Sequence, residues 1–382
     1  MPQPIRNIPL NVPYVDDALA SYLNEVIVAK KFSGDGVICK RVETRLREQF
    51  SLKHVLLTTS CTHALEMAAM VLDLNKGDEV IVPSFTFVSS ANAVIRAEGT
   101  PVFCDIDRTT LTMDIADVKA KITPRTRAIM PVHYAGISAD MDPLMALAQE
   151  RNLSIIEDAA QGVGAKYNDR YLGGIGNMGA FSFHDTKNLM CGEGGAFVTN
   201  DEAIARRAEI IREKGTNRSN FLRGEVDKYT WVAHGSSYIL SDLLAAVLLH
   251  QLDRMEVIQQ RRKDIYVRYN EEFRALGASG KLVLPTIPAN CASNYHLYHI
   301  LLPHEAERNR VMGELKKRGI GAAFHYVPLH QSPYAQEFLG TKGLRLPVTE
   351  DVAARLLRIP LYPGMSSDDI EYIVKNVKEI VH

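Results

Sequence analysis

The sequence predicts an α/β protein, a mostly parallel sheet with helices on both faces followed by a smaller C-terminal α+β domain. Three observations carry that expectation. Short apolar runs recur through the first two thirds of the chain, at 54–58, 79–82, 102–105, 128–133, 153–157, 180–184 and 196–199. Segments of helical period lie between several of them, and strands separated by helices make βαβ units with parallel strands. From about Ser241 the pattern changes to one long helical stretch and then to shorter mixed segments.

Taken in order, the first run leads into 62–72, where Leu65, Ala68, Ala69 and Leu72 share one helical face. Segments 139–151 and 201–214 read as helices by the same spacing. The run 129–132 is apolar without alternation, as a strand covered on both faces requires. Segment 241–276 reads as a helical region with one break. Pro285 and Pro288 mark the entry to the smaller segment, and 319–321 a turn within it. The expected division is a large domain over 1–250 and a small one over 251–382. A chain of 382 residues, 46% of them hydrophobic, is long enough to fill both.

The formal net charge of -1 gives no global field toward nucleic acid or an acidic membrane, so neither is expected as a partner. Five scattered cysteines without a CxxC pair suggest neither a disulfide framework nor a zinc site. The first residues lack the basic-then-apolar pattern of a signal peptide, and no apolar stretch approaches the roughly 20 residues of a membrane helix. A cytoplasmic location is the expectation.

Ligands of open α/β sheets bind outside the carboxyl ends of the strands, and the chemistry-bearing residues gather there. Phe181-Ser182-Phe183-His184-Asp185-Thr186-Lys187-Asn188 leaves a strand on a lysine, with Gly192-Glu193-Gly194-Gly195 close behind. Such a lysine can form a Schiff base if desolvation or nearby positive charge lowers its pKa; a surface loop lysine is the plainer alternative. Ile155-Ile156-Glu157-Asp158-Ala159-Ala160-Gln161-Gly162 ends a strand in an acid. A buried carboxylate there can keep a ring nitrogen protonated, or it can cap a helix. Leu57-Thr58-Thr59-Ser60-Cys61-Thr62-His63-Ala64 runs through small hydroxyl residues into a helix. Free N–H groups at the helix start make a phosphate cradle, with simple N-capping as the alternative. In Pro83-Ser84-Phe85-Thr86-Phe87-Val88, Phe87 can stack on a flat ring or pack into the core.

In this order, cradle, stacking ring, acid and lysine resemble the DegT/DnrJ/EryC1/StrS family of sugar aminotransferases. The resemblance runs from Ser33-Gly34-Asp35-Gly36 to Leu361-Tyr362-Pro363-Gly364. Within the family the chain is similar to the dTDP-4-amino-4,6-dideoxygalactose transaminases of enterobacterial common antigen synthesis. That likeness rests on Pro131-Val132-His133-Tyr134-Ala135-Gly136, Ile211-Arg212-Glu213-Lys214-Gly215-Thr216-Asn217-Arg218 and Val226-Asp227-Lys228-Tyr229-Thr230-Trp231. The resemblance implies the type I, aspartate-aminotransferase-like fold and pyridoxal 5'-phosphate (PLP) as cofactor. It also implies L-glutamate as amino donor, a dTDP-4-keto-6-deoxy-D-glucose acceptor aminated at C4 to the galacto product, and a homodimer with the active site at the subunit interface.

Residue by residue, the resemblance makes Lys187 the Schiff-base lysine and proton carrier. Asp158 pairs with the ring nitrogen and Gln161 contacts the ring hydroxyl. Ser182, Cys61 and Thr62 hold the phosphate, and Phe87 stacks on the ring. Lys214, Arg218, Tyr229 and His325 contact the substrate, and Arg212, Arg223 and Lys228 offer further charge to a diphosphate. Two positions depart from the family pattern. Cys61 stands where relatives have glycine, and Ser237, in Gly235-Ser236-Ser237-Tyr238-Ile239, replaces an asparagine that reaches the neighbouring subunit's cofactor phosphate.

The rival readings are the gluco epimer, amination at C3, a dehydratase on the same fold and a non-catalytic binding protein. The known sugar 3-dehydratases that resemble this family carry histidine in place of the lysine; loss of the lysine or the acid would mark the binding protein. Gly174-Ile175-Gly176-Asn177-Met178-Gly179 spells a dinucleotide fingerprint, but it leads into a strand rather than a helix. His296 and His299, three apart in the alternating run 295–302, would point to opposite faces and make poor metal co-ligands.

Overall fold

In the computed structural model, which describes residues 6–381, all seven apolar runs enter one sheet. Its strands are β1 (His54–Thr58), β2 (Glu79–Pro83), β3 (Thr100–Cys104), β4 (Thr126–Ile129) and β5 (Ser154–Asp158). A small hairpin of β6 (Lys166–Tyr167) and β7 (Arg170–Tyr171) intervenes before β8 (Met178–Ser182) and β9 (Gly195–Thr199) complete it. The order is β1-β9-β8-β5-β4-β2-β3. Strand β9 is antiparallel to both neighbours, and every other pairing is parallel. The chain between β8 and β9 returns without a helix, so β9 comes back antiparallel. The lysine-bearing segment is therefore a hairpin connection.

Strand limits differ from expectation most at β4, which ends at Ile129 rather than His133. Pro131 has no N–H to donate to a ladder, so regular pairing stops before it. The chain nevertheless stays extended, and Val132 bridges Asp158. The expected helical region from Ser241 is two helices, Asp242–Asp253 and Met255–Ala278, parted at Arg254.

Both faces of the sheet are covered. On one, Val42, Leu46 and Phe50 of the helix Val37–Phe50 pack with Phe181, Phe183 and Leu252. On the other, Leu65 and Ala68 of the helix Cys61–Val71 meet Val80, Val82 and Phe197. Helix Met255–Ala278 begins in the first of these clusters with Met255 and Ile258. From Ile265 onward it belongs to a separate core. There, beyond β10 (Cys291–Ala292), strands β11 (Tyr298–Leu301) and β12 (Leu356–Ile359) form a two-stranded antiparallel sheet. No helix among the described residues is long and apolar enough to cross a membrane.

The glycine-rich segment before β8 already has an occupant. The N–H groups of Gly173, Ile175 and Gly176 donate to the Glu157 carboxylate at 2.7, 2.6 and 2.6 Å. His133 Nε2 meets the same carboxylate at 2.9 Å, fully buried. Nothing is left there for a dinucleotide.

Candidate active site

At the ends of β1, β2, β5 and β8 the chain opens a cavity of about 560 Å³. Strand β1 delivers Ser60, whose Oγ accepts the His63 N–H at 3.1 Å and caps the helix Cys61–Val71. Cys61 and Thr62 follow on the cavity wall, and their N–H groups donate to no acceptor among the described residues. A Cβ at Gly195 would collide with the Ser60 carbonyl and the Cys61 nitrogen, so β9 can press against this turn only through glycine. Burial pushes the Cys61 thiol well above its usual pKa of 9.0, with Asp158 adding to the rise. A neutral thiol does not repel an anion in the cradle.

After β2, Phe85 is buried at 1% exposure while Phe87 is 60% exposed on the cavity wall. The core-packing alternative for Phe87 fails, since most of its surface is open. Asp158, at the end of β5, is only 4% exposed. Ser90 Oγ donates to it at 2.7 Å and the Ala160 N–H at 3.2 Å, both neutral donors. No helix follows for it to cap, because 160–164 is a turn. Gln161 is fixed at both ends. Its Oε1 accepts the Ala135 N–H at 2.7 Å, and its Nε2 donates to the Tyr326 hydroxyl at 2.9 Å.

Ser182 closes β8 on the cavity wall, and Lys187 stands in the hairpin connection beyond it. The connection is anchored by Asn188, which donates to the Asn294 carbonyl at 2.7 Å and pairs with His296 Nδ1 at 2.9 Å. Burial lowers the Lys187 pKa from 10.5, against the opposing pull of Cys61 and Asp158. A desolvated amine that more readily sheds its proton is a nucleophile. His325 lines the same cavity, its Nδ1 3.1 Å from the Tyr134 hydroxyl and its ring stacked on Tyr326 at 3.9 Å between centroids. Burial and the Arg358 charge lower its pKa, so it stands neutral.

The cavity thus gathers eight of the residues expected from sequence and leaves four outside. Lys214, on the turn after the helix Glu202–Arg212, and Arg218, at the start of the short helix Arg218–Leu222, meet Glu213 at 3.1 and 3.7 Å and no other acid among the described residues. Tyr229 is exposed, its ring 5.8 Å from that of Phe221. Ser237 is exposed and bridges Glu213 through its backbone. Arg212 is not available to a ligand at all, because it is buried against Asp35 and Glu43 at 3.0 Å each. Arg223 is engaged by Glu209 and Glu225.

Sequence reading missed Ser90, Tyr326, His296 and Arg358, all of which touch the cavity or its acid. Ser90 lies one turn beyond the noted Phe87, and Tyr326 is adjacent to His325, so both were within reach. His296 and Arg358 arrive from the second core, and only the tertiary fold brings them here. His296 precedes β11 and lines the cavity, whereas His299 lies within the strand.

The profile of the DegT/DnrJ/EryC1/StrS aminotransferase family matches residues 13–378. The chain belongs to this family. Spore coat polysaccharide biosynthesis protein SpsC of Bacillus subtilis is 37% identical over 336 residues, 86% of each chain. Spr1654 of Streptococcus pneumoniae has been solved in apo-, PLP- and PMP-forms. Its apo-form matches with a TM-score of 0.91 at 28% identity over 98% of both chains. The aminotransferase TlmJ of Streptoalloteichus hindustanus matches with a TM-score of 0.89 at 29% identity, covering 98% of this chain and 99% of its own. As a member of the family, the protein is a sugar aminotransferase of the type I fold that uses PLP. Its cavity fits that cofactor, with a buried acid held by neutral donors, unengaged N–H groups at a helix start and a desolvated lysine.

Proposed function

We propose that the enzyme transfers the amino group of L-glutamate to C4 of dTDP-4-keto-6-deoxy-D-glucose, giving dTDP-4-amino-4,6-dideoxy-D-galactose and 2-oxoglutarate. The observation that carries this reading is the convergence of Lys187, Asp158, Gln161, Phe87 and the start of the helix Cys61–Val71 on one cavity. PLP supplies an aldehyde that takes up the donor nitrogen and a ring that draws off the electrons left when a proton departs. Cys61, Thr62 and Ser182 would hold its phosphate, Phe87 its ring face, and Gln161 its ring hydroxyl. Asp158 would keep its ring nitrogen protonated. Lys187 Nζ would take the proton from the donor's α-carbon and return one to the sugar's C4 from one face, which sets the configuration.

The choice of sugar is supported by the resemblance at 131–136, 211–218 and 226–231. The first of these stretches is built into the site, since Tyr134 touches His325 and Ala135 holds Gln161. Lys214, Arg218 and Tyr229 would meet the nucleotide diphosphate. A homodimer with the site at the subunit interface is supported by the exposed Leu222, Tyr229 and Trp231 on the same loop as the outlying Ser237. In such a dimer, Ser237 would serve the neighbouring subunit's phosphate.

Absorption spectra of the PLP-loaded protein test the reading. Added L-glutamate should bleach the cofactor band, and the keto sugar should restore it. NMR of the product should show an axial C4 amine. Lys187→Ala should transfer no amino group. If another keto sugar restores the band and this one does not, the acceptor assignment falls.

A further inference from the structure

Two helices begin on the wall of the cavity. One is Cys61–Val71 after β1 and the other is Val88–Arg96 after β2, and they pack together through Ala64, Ala68, Ala93 and Val94. Their first turns meet at a pair of hydroxyls, Thr62 Oγ1 and Ser89 Oγ, 2.8 Å apart. Both residues line the cavity and are half-buried. Thr62 is expected here from sequence; Ser89 is not. A hydroxyl carries one proton to donate and lone pairs to accept. The bond between Thr62 and Ser89 spends the proton of one, and that of the other has no acceptor among the described residues. Ser90, the next residue, shows the contrast. Its proton goes to the Asp158 carboxylate at 2.7 Å, and Thr86 bonds it from behind at 2.8 Å, so that chain of hydroxyls ends on an anion. The Thr62–Ser89 chain ends on the open cavity.

Ser89 has no local duty to explain it. The N-cap position of its helix is Phe87, no side chain caps that end, and the Ser89 hydroxyl receives no backbone N–H. The Ser89 N–H donates to no acceptor among the described residues, and the same holds for Cys61 and Thr62. The groups left over at this junction, backbone N–H and hydroxyl alike, can donate. They fit an anion with several acceptor oxygens, which the dipoles of both helices also favour. A hydroxyl bonds a charged oxygen about twice as strongly as a neutral one, so a phosphate draws the shared proton away from the pair as well.

We propose that Ser89 is a ligand of the cofactor phosphate and makes the start of the helix Val88–Arg96 the second side of its cradle; the assignment rests on the reading of Cys61 and Thr62 as the first side. Ser89 and Thr62 each hand a proton to the phosphate. The first turn of one helix then serves three parts of the cofactor. Phe87 meets the ring face, Ser89 the phosphate, and Ser90 acts on the ring nitrogen through Asp158. Helical spacing accounts for the division. Successive residues are about 100° apart around the axis, so Ser89 faces the neighbouring helix while Ser90 faces the end of β5.

The test compares Ser89→Ala, Ser89→Thr, Thr62→Val and the double variant of Ser89→Ala with Thr62→Val against the parent protein. Each is stripped of cofactor and titrated with PLP and, separately, with pyridoxal, which has the same ring and aldehyde but no phosphate. Ser89→Ala should weaken PLP binding on the order of 10-fold and leave pyridoxal binding unchanged. Ser89→Thr keeps the hydroxyl and should stay near the parent. In the Thr62→Val background, Ser89→Ala should still weaken PLP binding, because Ser89 reaches the phosphate itself. Unchanged PLP binding in Ser89→Ala would overturn the assignment. So would an equal loss for pyridoxal, which would mean a disturbed ring site. A loss that vanishes in the Thr62→Val background would also overturn it, since Ser89 would then act only by supporting Thr62. If Thr62→Val leaves PLP binding unchanged, the cradle reading itself falls, whereas a loss in Thr62→Val without one in Ser89→Ala strikes only Ser89.

Discussion

Two clusters of buried charge lie on this sheet, and they differ in how completely they are paired. Beside β1, Arg212 bonds Glu43 and Asp35, and Lys40 closes the group at 2.7 and 2.9 Å. In the cavity, Asp158 has two neutral donors, while Lys187 and Arg358 form no salt bridge among the described residues, and Asp158 acts on Lys187 only through space. The charges of the first cluster are paired within the chain and act in folding. The second is left open toward the cavity, which is what a site that binds a charged ligand requires.

The sharpest way to break the comparison is Arg212→Met. It strands Glu43 and Asp35 in the interior and should cost about 3–5 kcal/mol of stability, read from urea unfolding. Loss of activity at unchanged stability would instead make Arg212 part of the site. Ser90→Ala comes next. Asp158 loses a hydroxyl donor worth about 1.5–3 kcal/mol to a charged group, so a PLP titration should show weaker binding by about 10- to 100-fold with the fold intact.

The smallest effect has the opposite sign. Lys187→Met should stabilise the cofactor-free protein by about 1–2 kcal/mol at neutral pH. Below 10.5 the unfolded lysine is charged, whereas the folded one takes its proton only at lower pH. Between the two pKa values the unfolded chain binds more protons, so stability of the parent rises with pH. The advantage of the variant should therefore shrink as pH approaches 10.5 and vanish above it. An advantage constant across pH would mean that packing, not charge, is responsible.

The finished cluster and the unfinished one were not equally legible in the sequence. The seven sheet strands were, because each is an apolar run bounded by a change of pattern. Lys187, Asp158 and Phe87 were legible because they stand where such runs end. Arg212 read as charge open to a diphosphate, since its partners at Asp35 and Glu43 are remote in sequence. Arg358 was invisible for the same reason, since one charged residue in a C-terminal apolar run shows neither its face nor its missing partner. The limits of β4 were misjudged because hydrophobicity continues through Pro131 where ladder pairing cannot.

The turn around Glu157 has a consequence in time. Amides of Gly173, Ile175 and Gly176 sit in a glycine-rich stretch that by composition should open readily, yet each is tied to one interior carboxylate. They cannot open singly, because releasing any of them leaves the anion short of a donor. In deuterium exchange these three positions should keep pace with the strand amides of β5 and β8, and lose their protons only when the sheet itself comes apart.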